Sequence, residues 1–498
     1  MHRFRGLRYM RTTGTSTVPS PHSASFRIER PLSQPTSYTH SHLLSAREVT
    51  PGISRVEYLD RRAKMARDLP NNSVTIFPSN PQKYMTEDVP YLYHHNTDLM
   101  YMCGITEPGS FLLVERFDDD VRYILFVERR DESRELWDGP SCGTGDEVRA
   151  YFGVDQVRAT PELQEYICFV LPKMQSFHYE PSINPSITSI LQRLAPDEQK
   201  SLVSKWSLEK TPKSYINKQR LIKSDAELEL MRKASKIISS ALMDAMAKTK
   251  IDGKKNWIEE RFIEATIEYN CKARGPFRMA FPSVVASGPN STVLHYMNNN
   301  STAQSGDFVM VDAGCEVHGY CSDVSRSWPI SGSFSAPQRD MYELVLDVQK
   351  ACIAVAREGN NTEGNPVSLD GIHMLAVRRL TDGLMQLGFM KGHTLESAIT
   401  AGEYSRYFPH AIGHYLGMDV HDTHNAPKSI PLKENMVITI EPGLYCRADD
   451  ISAPVHYRGI GMRIEDDIVV GNSSRPPEVL SNHAVKEVAD VETLIGSG

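Results

Sequence analysis

Asp312, Asp323, His414, Glu441 and Glu465 put four carboxylates and one imidazole in one part of the chain. That set fits a two-metal hydrolytic centre. Carboxylates gathered together repel and raise each other's pKa, so a fold that collects them needs cations. Phe308–Ala313 (FVMVDA) reads as a buried strand and Ser322–Trp328 (SDVSRSW) as its partner. A turn centred near Val317–His318 would set Asp312 opposite Asp323, with both carboxylates aimed at one spot. Taken alone, the pair also fits a turn acid beside an edge acid.

The run from His410 through His414 to His421 holds three histidines in twelve residues. Gly413 and Gly417 flank the middle one and permit close backbone approach. Neutral imidazole binds transition metals and can shuttle protons. Glu441 follows the apolar Val437–Ile440 and precedes Pro442-Gly443, which puts it at the mouth of a sheet. In Gly461–Val470 the period of two places Met462, Ile464 and Ile468 on one face and Arg463, Glu465 and Asp467 on the other. Glu465 therefore projects with Arg463, and Asp466 stays open as the alternative acid. An oxygen-rich set without thiolate suits Mn²⁺ or Co²⁺ better than structural zinc.

Two domains after a tail are expected to position these residues in a chain of 498. The boundaries are 1–50, an arm and linker; 51–215, an α/β domain; 216–482, the domain with the acids; and 483–498, a C-terminal tail. Order is expected to begin near Thr50-Pro51. Apolar runs at Ser73–Phe77, Phe111–Glu115 and Tyr123–Val127 alternate with helix candidates at Arg55–Leu69, Gly145–Phe152 and Pro185–Leu194. Ser224 with Glu227 forms a capping box that opens the second domain. Leu228, Met231, Ile238, Leu242 and Ala245 follow at helical spacing.

The net charge of −7 argues against a nucleic-acid partner. No apolar run approaches the roughly 20 residues of a membrane helix. Eight scattered cysteines without a CxxC pair read as reduced, buried thiols. Arg3, Arg5, Arg8, Arg11 and Arg27 precede the first acid, Glu29, in a segment rich in Ser and Thr. That composition reads as a mitochondrial transit peptide.

These four acids and one histidine, in this order and with these neighbours, resemble the pita-bread metallopeptidases. The resemblance covers the whole second domain. His410-xxx-His414-x₆-His421, Glu441-Pro-Gly-Leu-Tyr445 and Arg463-Ile-Glu465-Asp-Asp are similar to the aminopeptidase P subgroup. Asn96-Thr97-Asp98 through Gly104 and Leu136-Trp137-Asp138-Gly139 match that subgroup in the first domain. Leu32-Ser33-Gln34-Pro35 and Val49-Thr50-Pro51-Gly52-Ile53 resemble its mitochondrial branch. His94-His95 departs from the Arg-Gln usual in bacterial relatives.

The resemblance implies an α/β N-terminal domain followed by an α+β pita-bread (creatinase/aminopeptidase-like) catalytic domain. It implies two divalent ions, with Asp312 on one, His414 and Glu441 on the other, and Asp323 and Glu465 bridging. Glu441 would also move the proton, and His421 would stabilise the tetrahedral oxygen. His295 and His410 would line the substrate site, with Tyr445 and Arg463 beside the proline pocket. Asp98 and Trp137 would reach a neighbouring subunit in a homodimer or higher homo-oligomer. The expected activity is removal of the first residue of peptide or protein N-termini, favouring Xaa-Pro ends or processed presequence intermediates. The expected place is the mitochondrial matrix, with a cytosolic form where the arm is skipped. An Xaa-Pro dipeptidase and a metal-free binding module of the same fold are the alternatives.

Overall fold

The computed structural model describes residues 28–192, 211–249 and 256–496. These fall into two units, 1–212 and 213–498. The expected arginine-rich address lies outside the described residues.

The first unit grows from alternating apolar strands. β1 (Ser73–Pro78), β2 (Phe111–Phe117), β3 (Asp120–Val127), β4 (Gln156–Ala159) and β5 (Ser176–His178) form one sheet in the order β4-β3-β2-β1-β5. The outer pairs are parallel and the inner ones antiparallel. Every second residue, among them Val74, Ile76, Leu113, Ile124 and Phe126, faces a core shared with Ile167 and Phe177. Helix α1 (Arg55–Asp68) starts where Ser54 accepts the Glu57 amide, and α2 (Thr97–Cys103) where Asn96 accepts the Leu99 amide. Helix α3 spans Glu132–Asp138.

Residues before Thr50 depart from the expected linker. Ile28, Leu32, Leu44 and Val49 are buried, and Gln34 bonds the Gly104 carbonyl and the Thr106 amide. Isolated apolar residues between Ser and Pro carry no period, so their packing leaves no local signal.

The second unit opens with α4 (Asp225–Lys248), whose capping box is Ser224 with Glu227. Leu228, Met231, Ile238, Leu242 and Ala245 are buried along it. Helix α5 (Glu260–Ala273) packs beside α4. Strands β6 (Val284–Ser287), β8 (Phe308–Ala313) and β11 (Val324–Pro329) form an antiparallel sheet, and β7 (Thr302–Gln304) follows the loop after β6. Between β8 and β11 lies a small hairpin, β9 (Cys315–Val317) and β10 (Tyr320–Cys321). Strand β12 (Val437–Ile440) pairs with β15 (Asp466–Val469), and β13 (Gly443–Cys446) with β14 (Ile460–Arg463).

The hairpin register differs from the expectation. Asp312 pairs with Ser325, and Ala313 with Val324. The turn sits one residue later, at His318–Gly319, where both φ values are positive (50° and 89°). Asp323 thus lies diagonal to Asp312. It shares a strand face with Ser325 two residues on, so both acids still reach one space.

The expected C-terminal tail is part of this unit. Ala484, Val488, Val491 and Ile495 are buried, the last three on helix α6 (Val488–Gly496). Arg326 donates to the Ala484 carbonyl (2.9 Å) and to Asp466 (2.7 Å), and Lys486 pairs with Asp466 (2.5 Å). Seven of the eight cysteines are buried, and Cys168 is exposed. No helix among the described residues is long and apolar enough to cross a membrane.

Candidate metal centre and peptide pocket

Asp312, Asp323, His414, Glu441, Arg463 and Glu465 meet in one pocket of about 460 Å³, within the second unit. His295, His410 and His421 line it too. Asp312 comes from the end of β8 and Asp323 from the residue before β11. Glu441 directly follows β12. Glu465 sits in the break between β14 and β15, and its amide donates to the Ser325 carbonyl (3.1 Å).

His414 is set by its backbone. Its amide donates to Thr439 Oγ1 (3.1 Å), and its Nδ1 faces the Tyr415 carbonyl (3.1 Å). Nε2 is left turned to the acids, 3.3 Å from Asp323 Oδ2 and 3.8 Å from Glu441 Oε1. Gly413 makes the approach feasible: a Cβ there would lie 2.0 Å from the Thr439 carbonyl oxygen. The His421 ring crosses that of His414 at 4.5 Å between centroids.

Arg463 ties the acids to the aromatic wall. It donates to Asp312 Oδ2 (2.5 Å), to the Tyr445 hydroxyl (2.7 Å) and to Ser325 Oγ (2.9 Å). Tyr445 donates in turn to His410 Nε2 (2.9 Å), and Ser325 to Glu465 Oε2 (2.7 Å). Burial opposes the charge on Arg463, yet Tyr445, Asp312 and Glu465 hold its pKa well above the ordinary value. Burial, then Arg463, lowers His410 to about 3, so its imidazole is neutral.

The acids carry the mark of an electrostatic debt. Burial raises Asp323, Glu465 and Glu441, and neighbouring carboxylates add to all three, while His414 and Arg463 pull Glu441 partly back. Asp323, His414 and Glu465 each bring one ligand atom within 4.8 Å of the others. Asp312 Oδ1 and Asp323 Oδ1 are buried with no hydrogen-bond partner. Orphaned carboxylate oxygens around a shared space are what divalent ions satisfy, so the donor set fits the two-metal expectation.

The neighbouring acids are used differently. Burial alone would raise Asp466, but Arg326 and Lys486 hold it well below the carboxylate range. It is a structural anchor turned away from the pocket. Asp467 accepts the Asp323 amide (3.2 Å) and the Ser235 hydroxyl (2.6 Å), and burial pushes it up to about 7. Asp98, on α2, is buried, and Trp137, on α3, is 86 % exposed; both belong to the first unit.

Sequence reasoning missed Lys428, Ser325 and Thr439. Lys428 lines the pocket and donates to the Gly413 carbonyl (2.8 Å). It lies in an aperiodic loop and left no signal. Ser325 and Thr439 take their meaning from Glu465 and His414, partners distant in the chain, and left none either.

Residues 229–472 match metallopeptidase family M24, and 58–176 match the aminopeptidase P N-terminal domain. Xaa-Pro aminopeptidase 3 of Homo sapiens is 40% identical over 484 residues, which cover 93% of this chain and 90% of that protein. The chain belongs to metallopeptidase family M24. Within that family it has the aminopeptidase P architecture, and it is a metalloaminopeptidase dependent on divalent metal. Mitochondrial intermediate cleaving peptidase 55 of Arabidopsis thaliana is 34% identical over 495 residues, covering 99% of this chain and 94% of that protein. Zn-substituted aminopeptidase P of Escherichia coli, solved in complex with product, superposes with a TM-score of 0.80 at 29% identity, over 89% of this chain and 99% of the other. The pita-bread fold of the second unit agrees with the sequence expectation.

Proposed function

We propose that this M24 enzyme removes one residue from N-termini with proline second, or from ends left by presequence cleavage, using two Mn²⁺ or Co²⁺ ions. The convergence of five ligands on two orphaned carboxylate oxygens carries this reading. Asp312 would hold one ion, His414 and Glu441 the other, and Asp323 and Glu465 both. Such ions supply Lewis acidity, which makes water nucleophilic near neutral pH and polarises the scissile carbonyl.

The chain's own residues divide the remaining work. Glu441 accepts the proton of the attacking water and hands it to the leaving amine. Burial, then His414, holds His421 below its ordinary pKa, so a neutral ring donates N–H to the developing oxyanion. His295 and His410 guide the substrate, and Tyr445 and Arg463 border the proline side. Asp98 and Trp137 complete the site of a neighbouring subunit; the exposure of Trp137 leaves its ring available for that contact.

An Xaa-Pro dipeptidase is less favoured, because Arg463, the one arginine among the described pocket-lining residues, is already taken up by Asp312, Tyr445 and Ser325. The name of the human relative, an Xaa-Pro aminopeptidase, supports the aminopeptidase. The metal-loaded chain should be offered an Xaa-Pro dipeptide, a longer Xaa-Pro peptide and a peptide library. Release of a single residue, fastest from long peptides with proline second, is expected. Cleavage confined to the dipeptide would establish the rival, and a chain that takes up no metal and cleaves nothing would be the metal-free binding module.

The arm and the assembly yield to one further measurement. Residues 1–50 fused to a reporter should carry it into mitochondria, and the chain without them should sediment as a homodimer or larger. A cytosolic reporter removes the address, and an active monomer removes the shared site.

A further inference from the structure

Glu260 opens α5 and is 0 % exposed. Among the described residues its carboxylate meets no lysine or arginine. Instead its two oxygens accept five hydrogen bonds. The donors are the Ser287 amide (2.9 Å) and hydroxyl (2.7 Å), the Asn290 side chain (3.3 Å), the Tyr296 hydroxyl (2.9 Å) and the Ser301 amide (2.8 Å). A buried carboxylate is costly unless its lone pairs are filled. Bonds to a charged acceptor are also stronger than neutral ones.

These donors lie in a telling order. Ser287 ends β6 and Ser301 precedes β7, so one side chain grips both feet of the loop 288–301. Asn290 and Tyr296 grip its middle. This loop delivers His295 to the metal pocket. A second clamp lies one helical turn on. Buried Asn299, at φ 44°, donates to Glu264 (2.9 Å) and to the Ser283 carbonyl (2.8 Å), and accepts the Val285 amide (2.9 Å). Leu294 and Tyr296 pack on Val284, Ala286, Met310 and Tyr445, on either side of His295 in sequence. The loop also rests on β14, where a Cβ at Gly461 would lie 2.1 Å from the Ser291 carbonyl oxygen. Glu260 itself does not line the pocket.

We infer that Glu260 is a positioning residue for peptide hydrolysis: it fixes the His295 loop, and so where the substrate rests, while touching neither substrate nor metal. This rests on the reading of His295 as a substrate contact. A small displacement of a positioning group costs rate steeply.

The test is a cycle of wild type, Glu260→Gln, His295→Ala and the double variant, as metal-loaded full-length enzyme on an Xaa-Pro peptide. Metal content and thermal unfolding are measured on the same samples. Gln keeps the shape of Glu but offers one oxygen to five donors. Glu260→Gln is expected to lower kcat/KM at least about tenfold with metal content unchanged. The double variant should fall no more than about twofold below His295→Ala alone, since coupled residues do not add. A folded, metal-replete Glu260→Gln enzyme at wild-type kcat/KM, or losses that multiply, would overturn the inference. An unaffected His295→Ala removes the reading of His295 and the inference together. An affected His295→Ala beside an unaffected Glu260→Gln removes the inference alone. Should Glu260→Gln not fold, Tyr296→Phe deletes one donor and keeps the ring on its core. Its loss of kcat/KM should vanish in the His295→Ala background, and a Tyr296→Phe enzyme equal to wild type counts against the role.

Discussion

Asp323→Ala and Glu465→Ala are each expected to empty the centre of metal and to end turnover. Both carboxylates are buried (5 % and 1 % exposed) and both would serve two ions at once. Loss of one bridge therefore weakens both ions rather than one. A fall in kcat of at least about a thousandfold, about 4 kcal/mol in the barrier, is expected. The same changes should leave the metal-free protein more stable, not less. Each removes a buried acid from a group of repelling acids, and burial already pushes both pKa values up. Elemental analysis, kcat and the thermal midpoint after chelation check the three parts. Full turnover in a verified metal-free sample would dispose of the mechanism.

Glu441→Gln separates proton transfer from metal binding. The amide keeps the shape of the side chain and one oxygen ligand but cannot accept a proton. Metal content should fall only in part, while kcat drops by about 10²- to 10⁴-fold, the usual scale for a lost general base. The fold should be unaffected, because the Glu441 amide still donates to the Ile412 carbonyl (2.8 Å). A variant with near-wild-type kcat would move the proton role to another group, with His410, 3.7 Å from Glu441, the next to test.

Much of this site could be read from local pattern. The period of two through Gly461–Val470 separates Arg463 and Glu465 from Asp466, and the structure brings the first two to the pocket and Asp466 to Arg326 and Lys486. The glycines around His414 announced the close backbone approach. The hairpin register was not legible, because it depends on where the backbone turns positive, and a one-residue shift re-pairs every partner. Ser325, Thr439 and Glu260 were invisible for another reason. Their meaning comes from partners distant in the chain, as with Ser325 and Glu465, 140 residues apart. A lone serine, threonine or glutamate carries no sign of such a partner. The buried stretch after Ile28 and the helix after Val488 escaped likewise, having too few apolar residues to show a period.

The anchoring of Asp466 has a consequence for synthesis. Its two cationic partners are Arg326, from the middle of the chain, and Lys486, from near its end. Until the segment holding Ala484 and Lys486 has emerged from the ribosome, Arg326 and Asp466 lack half of their cage. A buried carboxylate short of one of its cationic partners is destabilised. The strand beside Glu465 is then held loosely, and so is Glu465. Closure of the hydrolytic centre is therefore expected to wait until Lys486 has been made, and a chain ending before Ala484 should bind less metal than the full chain.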